Sequence, residues 1–338
     1  MAANTPAPQP NPGFIFESLN AYQRTAALKG AIELEIFTHI ADGATSAAAI
    51  AERAQASVRG VRILCDYLTV EGFLTKEAGA YGLSQESAIF LNKRSPAYMG
   101  SIAFFVAHKN HLANFDDVAA MVRKGGTVNG TGNLTPDHEI WVEFAHYMMP
   151  MMWKPSAAVA EMLAEPARPM KVLDIAASHG LWGIAFAKRN PAAQIFALDW
   201  KNVLEAAIAN AEKAGVADRF HTIPGSAFEV DLGSDYDIVL LPNFLHHFDP
   251  ETCIVFLKRL RAAVKPGGMV VTPEMVPNED RLSPPIPATF SLMMLGSTEA
   301  GDAYTFAEYD RMFRAAGFGS STIQDAPFSA EQLILTQA

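Results

Sequence analysis

Two aspartates carry the clearest chemistry in this chain. Asp174 closes the apolar run VLDI and Asp199 closes IFALD, 25 positions later. That interval is near the one at which an acidic residue at a second strand tip reaches a ribose hydroxyl pair. A carboxylate suits a vicinal diol because it accepts two hydrogen bonds at once. Between the two lies the turn AASHG, with Ala176 and Ser178 where a dinucleotide loop would place glycine, and with Gly180 at the start of a helix. A pyrophosphate needs glycine so that backbone can approach it, whereas a nucleoside without phosphate does not. The turn therefore favours a phosphate-free nucleoside over NAD; taken alone, it is also compatible with an ordinary strand-to-helix connection.

The elements that must hold these residues follow from hydrophobic period. From Met170 onward, KVLDIAA, QIFALDW, RFHTIPGS, YDIVLLPN and GMVVTPEMV read as short strands, separated by helical stretches such as LWGIAFAKRN and VLEAAIANAEKAG. Alternation of this kind predicts an α/β fold with a parallel, doubly wound sheet whose ligand sits at the carboxyl ends of the strands. The segment 13–106 is helical in pattern, with Ser46 and Ser57 as expected N-caps, then two short strands around Gly79, a winged-helix outline. Two readings of that module stand: a helical association domain, or a DNA-binding one using Arg53, Arg59 and Arg62. Between them, 107–168 holds WVEFAHYMMPMMWKPSAAVAEML, where Trp141, Phe144, Met148 and Met152 belong to a dense apolar stripe. Most of that stripe is expected to be core, with some methionines lining a pocket for a flat ligand.

The whole chain has 338 residues, enough for two domains of about 100–200 residues. Its net charge of −10 opposes a nucleic-acid binder that lives on phosphate contacts. Cys65 and Cys253, far apart, predict buried small hydrophobes and no disulfide framework. The segment 1–12 reads as a disordered Pro-rich lead without a secretory pattern, and no apolar run nears the ~18 residues of a membrane span, so a cytoplasmic location is the default. No carboxylate-rich cluster points to a metal.

The motifs VLDIAASHG, IFALDW, GSAFEVD, LPNFLHHFDPETC, LKRLRAAVKPGGMVV and TFAEYDRMFRAAGF, in that order, resemble those of S-adenosylmethionine-dependent methyltransferases of the caffeate/hydroxyindole O-methyltransferase-like family. The resemblance covers nearly the whole chain. It implies a Rossmann-like S-adenosyl-L-methionine-binding catalytic domain over 169–338, acceptor-lining helices over 107–168, and a winged-helix dimerisation domain over 13–106 forming a homodimer. It further implies that Asp199 holds the ribose, Trp200 packs near the adenine, and Ser226, Ala227 and Phe228 lie along the adenine edge. The turn Ala176, Ser178, Gly180 would face the methionine part, supported by Asp174.

By the same resemblance His246 stands where the family has its general base, with Glu274 orienting it and His247 beside it. A phenol with pKa near ~10 needs such a base at neutral pH. His247 replaces an aspartate frequent in plant members, Ala303 falls where a second orienting glutamate would be, and Ser226 replaces an acid. Asn243, Phe290, Met293, Met294 and Tyr304 join the acceptor wall, which suits a small aromatic or phenolic acceptor. O-methylation is the expected reaction; C-, N- or S-methylation, a non-methylating activity, and a DNA-binding regulator are the alternatives.

Overall fold

The structure is a computed structural model that describes residues 11–130 and 139–338; most of the expected lead, 1–12, and the segment 131–138 lie outside the described residues. The chain divides into two compact units, 1–107 and 108–338.

The first unit strings together α1 (Gly13–Glu33), α2 (Ile36–Ala41), α3 (Ala47–Arg53), α4 (Val58–Val70), the strands β1 (Leu74–Glu77) and β2 (Ala80–Leu83), α5 (Gln85–Phe90) and α6 (Ile102–Val106). Both expected caps form: Ser46 accepts from the Ala49 amide and Ser57 from the Gly60 amide, each satisfying an orphan donor of the first turn. β1 and β2 make an antiparallel hairpin. Ile36, Phe37, Ile50, Cys65 and Leu68 are fully buried and form the core here. Arg53 donates to the carbonyls of His39 and Asp42, and Arg62 pairs with Asp66. Both arginines are thus committed inside the module.

The second unit contains α7 (Lys109–Ala113), α8 (Val118–Lys124), α9 (Glu139–Tyr147), α10 (Met149–Leu163), β3 (Met170–Ile175), α11 (Leu181–Arg189), β4 (Ala193–Asp199), α12 (Lys201–Ala214), β5 (Phe220–Pro224), β6 (Tyr236–Leu240), α13 (Pro250–Ala263), β7 (Val264–Glu274), α14 (Pro285–Ser297), α15 (Phe306–Ala315), β8 (Ser321–Asp325) and β9 (Gln332–Gln337). The sheet runs in the order β5-β4-β3-β6-β7-β9-β8, parallel from β5 to β7 and antiparallel at β9 and β8. Strand order reverses between β3 and β6, which opens a crevice at their carboxyl ends.

Successive strand residues feed opposite cores, as the period of two demands. Leu173, Val239, Val270 and Ile334 pack with α13 and α15 on one face; Val172, Ile238, Val271 and Leu333 pack with α10 and α11 on the other. Gly183 lets α11 sit tightly on this sheet, since a Cβ there would lie 2.5 Å from Ile195 Cγ2.

The apolar stripe of 141–153 differs from its expectation. The chain breaks after Tyr147, and Pro150 opens a new helix, where its missing N–H is no loss. Met148 and Met152 are buried, whereas Trp141, Phe144 and Tyr147 are half-buried and Met151 and Trp153 exposed. A stripe split over two helices cannot turn all its side chains to one core.

Candidate functional site

The acidic residues and the histidines meet at one end of the sheet. Asp174 sits near the carboxyl end of β3, Asp199 ends β4, Asn243 follows β6, and Glu274 ends β7. Because β9 runs antiparallel, its start lies at that same end, with Gln332 opposite Glu274.

At the β3–β4 side, Asp199 Oδ2 accepts the Ser178 amide at 2.8 Å and Oδ1 accepts the Trp200 amide at 2.7 Å. Each oxygen keeps a further lone pair. Surrounding protein raises the Asp199 pKa to about 6, against the pull of those two amides. Asp174 is fully buried; Oδ2 accepts the Gly183 amide at 2.8 Å while Oδ1 has no partner among the described residues. Burial pushes it up to about 8, helped by the charge of Asp199.

The turn between them bends in the left-handed region three times: Ala176 (φ 52°), Ser178 (φ 51°) and Gly180 (φ 74°). The first two hold a conformation that favours glycine. Gly180 is crowded as well, since a Cβ would meet Ala207 Cβ at 3.0 Å and Phe220 Cζ at 3.1 Å. The turn is pinned by Ala177 N–H to Leu198 O at 3.0 Å and by Ser178 to Asp199. On the far side of β4, Gly225 N–H donates to Asp199 O, which brings the Ser226 turn against the Asp199 backbone. There Ser226 Oγ accepts from the Phe228 amide, Ala227 is buried, and Phe228 packs on Phe244, Phe248 and Phe256.

At the β6–β7 side, His246 Nδ1 lies 2.6 Å from Glu274 Oε2, with both side chains almost wholly buried. Glu274 Oε1 accepts the Leu245 amide at 3.1 Å, so the carboxylate is held at both oxygens. Bonded this way, the imidazole carries its proton on Nδ1 and turns the Nε2 lone pair outward, the form a general base needs. Ala303 is fully buried and offers no carboxylate. Gly301 brings its loop against the His246 backbone: a Cβ would collide with the His246 carbonyl oxygen and lie 2.9 Å from the His247 carbonyl carbon. Burial foremost, and the closeness of the His246 imidazole, hold His247 well below the usual imidazole pKa, so it stays neutral.

Aromatic rings link the two sides. Phe290 meets His246 at 5.0 Å between centroids, His246 meets His247 at 4.3 Å, His247 meets Trp141 at 5.3 Å, Trp141 meets Phe144 at 6.2 Å, and Phe144 stacks on His179 at 6.1 Å. Met148, Met152 and Met294 are buried and Met293 is half-buried. Tyr304 is a core residue: its hydroxyl donates to Phe248 O at 2.5 Å and its ring packs on Tyr309. Asn243, itself left-handed (φ 51°), donates its amide to Glu331 Oε1 at 2.8 Å.

Glu331 is the residue that sequence reading overlooked. It is buried, Oε2 has no partner among the described residues, and burial followed by the Glu274 charge raises its pKa. With Pro284, Pro285, Ile286 and Pro287 it lines a cavity of about 330 Å³ to which no residue of the 176–180 turn contributes. A glutamate before a C-terminal strand has no motif; only the antiparallel placement of β9 puts it here.

A doubly wound sheet with a carboxylate at the β4 tip, a histidine after β6 and its glutamate partner at the end of β7 has the architecture of nucleoside-binding α/β proteins. Residues 161–319 match the O-methyltransferase domain family and residues 16–93 the O-methyltransferase dimerisation domain family. A solved structure of a protein from Nostoc punctiforme PCC 73102 superposes with a TM-score of 0.94 at 49% identity, covering 98% of this chain and 100% of that one. The S-adenosyl-L-methionine-dependent methyl transferase PigF of Serratia is 25% identical over 87% of each chain. The 3-hydroxy-5-methyl-1-naphthoate 3-O-methyltransferase of Streptomyces sahachiroi is 26% identical, covering 93% of this chain and 92% of its own. The chain belongs to the O-methyltransferase family.

Proposed function

We propose that this chain transfers the methyl group of S-adenosyl-L-methionine to a hydroxyl of a small aromatic acceptor, with His246 as general base. The residues at the β3–β4 tip fit such a donor: Asp199 keeps free lone pairs for a ribose diol, and the buried Ser178 Oγ and His179 Nε2 lack partners among the described residues. Ala176, Ser178 and Gly180 would carry the methionine end, Trp200 and Ser226–Phe228 the adenine. When bound, the donor supplies an electrophilic methyl on a sulfonium.

The chain's own part is to place and deprotonate the acceptor. His246 Nε2 would take the hydroxyl proton as the acceptor oxygen bonds the methyl and the sulfur–methyl bond breaks, leaving the donor as a neutral thioether, and Glu274 would steady the resulting imidazolium. Phe290, Trp141 and Phe144 would flank a flat acceptor and keep water from it. Oxygen as the acceptor atom accords with the relatives named above; carbon, nitrogen or sulfur would show in the product.

One observation carries this reading: the buried 2.6 Å His246–Glu274 pair at the ligand end of the sheet. A screen of phenolic and polycyclic acceptors with isotopically labelled donor identifies a substrate by mass shift. His246→Ala is then expected to lower kcat/KM by about 10²–10⁴-fold. Its affinity for S-adenosylhomocysteine, measured by calorimetry, stays near wild type. An undiminished kcat/KM would refute the base.

We also assign residues 13–106 to homodimerisation. α1 leaves Phe14, Ile15, Phe16, Leu19 and Tyr22 more than half exposed, an apolar row that a second copy would cover.

A further inference from the structure

We propose that Glu331 is a positioning residue for His246: its carboxyl, bonded to Asn243, fixes the turn that aims the imidazole. The catalytic weight of that aim rests on the reading of His246 above; the contact itself does not. β6 ends at Leu240, and the chain stays bonded to β7 through Asn243, as the Leu241 amide donates to Val271 O at 2.8 Å and the Asn243 amide to Pro273 O at 2.9 Å. At Asn243 the backbone enters the left-handed region (φ 51°) and leaves the sheet for the short turn Leu245–His247. One residue thus sets the direction in which the base departs.

Asparagine visits this region more readily than most residues but is not confined to it. The confinement comes from 88 residues further along the chain, where Glu331 Oε1 accepts from Asn243 Nδ2 at 2.8 Å. Glu331 is itself anchored: it precedes Gln332, the partner of Glu274 in the β7–β9 pairing, its amide donates to Ser329 Oγ at 3.2 Å, and its carbonyl accepts from the Ala326 amide at 3.1 Å. Its side chain is buried, so water does not compete for the bond. Burial foremost, with the Glu274 charge, raises its pKa against the pull of Asn243 and moves it toward the uncharged carboxyl. An uncharged oxygen suffices for an amide donor.

The stretch 243–246 is therefore held at both ends. Glu274 takes the Leu245 amide and His246 Nδ1, while Glu331 takes the Asn243 side chain. The first fixes the ring, the second the backbone from which the ring hangs. A misplacement of about 1 Å costs on the order of 10²-fold in rate, so the second hold matters as much as the first.

The test reads the His246 Nδ1 proton, which the 2.6 Å bond to Glu274 places far downfield in the ¹H spectrum and which His246→Ala identifies by its loss. It needs no acceptor. Glu331→Leu removes the bond at similar volume, and Asn243→Gly removes it while leaving the left-handed turn open. In both the signal is expected to broaden or vanish; in Glu331→Gln, whose amide oxygen can accept from Asn243, it returns. Affinity for S-adenosylhomocysteine, by calorimetry, stays within about threefold of wild type in these variants. On an acceptor found by the screen, kcat falls about tenfold or more in Glu331→Leu and Asn243→Gly, KM stays within about threefold, and the double variant falls no further than either single one.

A wild-type proton signal in Asn243→Gly or Glu331→Leu, no return in Glu331→Gln, or losses in kcat that multiply in the double variant overturn the proposal. So does a raised KM at unchanged kcat, which would make Glu331 an acceptor contact, and so does a wild type without the downfield proton. Should Glu331→Leu not fold, Asn243→Gly and Glu331→Gln decide; loss of S-adenosylhomocysteine binding in Asn243→Gly would reduce the bond to general stability and overturn the role. Full turnover in His246→Ala refutes the base instead, and leaves the proton readout standing.

Discussion

At the scale of single residues, the buried acids set a measurable pH behaviour. Asp174 binds its proton up to pH about 8 when folded, against about 4 when unfolded. Between those values the native state holds more protons, so folding stability due to this group falls as pH rises through the window and is level on either side. Asp174→Asn removes that titration. Its urea midpoint relative to wild type is expected to rise from pH about 5 to pH about 8; a constant difference would show that Asp174 is ionised throughout. Asp199 was legible because a strand-end acid at a set distance from another has a chemical meaning. Glu331 was not, because its neighbours Asn243 and Glu274 come from distant parts of the chain and only the fold brings them together.

At the scale of elements, alternation of strand and helix foretold β3 to β7 and the helices between them, since each strand is short, apolar and bounded by turn residues. Ser46 and Ser57 marked helix starts for a local reason, a side-chain oxygen within reach of an amide. The order of β9 and β8 left no such trace: antiparallel entry beside β7 is a long-range pairing. The split after Tyr147 was likewise hidden, because the apolar period runs on through Pro150. Loop contacts also matter to the site. Gly301→Ala would drive a methyl into the His246 carbonyl and tilt the His246 ring, so, if that ring is the proposed base, kcat is expected to fall at least tenfold, with affinity for S-adenosylhomocysteine nearly unchanged. Steady-state kinetics beside calorimetry distinguishes this from general unfolding, which would weaken both.

At the scale of the whole molecule, among the described residues no helix is long and apolar enough to cross a membrane. The open apolar row on α1 is expected to hold two copies together. Phe16→Asp with Leu19→Lys should shift the mass measured by light scattering toward the monomer, and an unaltered mass would place the dimer contact elsewhere. The position of β9 has a further consequence. It is the last of the seven strands to leave the ribosome, yet it occupies an interior lane between β7 and β8. Until Gln332–Gln337 emerges from the exit tunnel, the growing chain carries two unzipped edges, and the end of the crevice that bears Glu331 has no floor. The nascent protein can therefore shape the end of the sheet around Asp199 early, whereas the end around His246 is finished only by the final lane of the sheet.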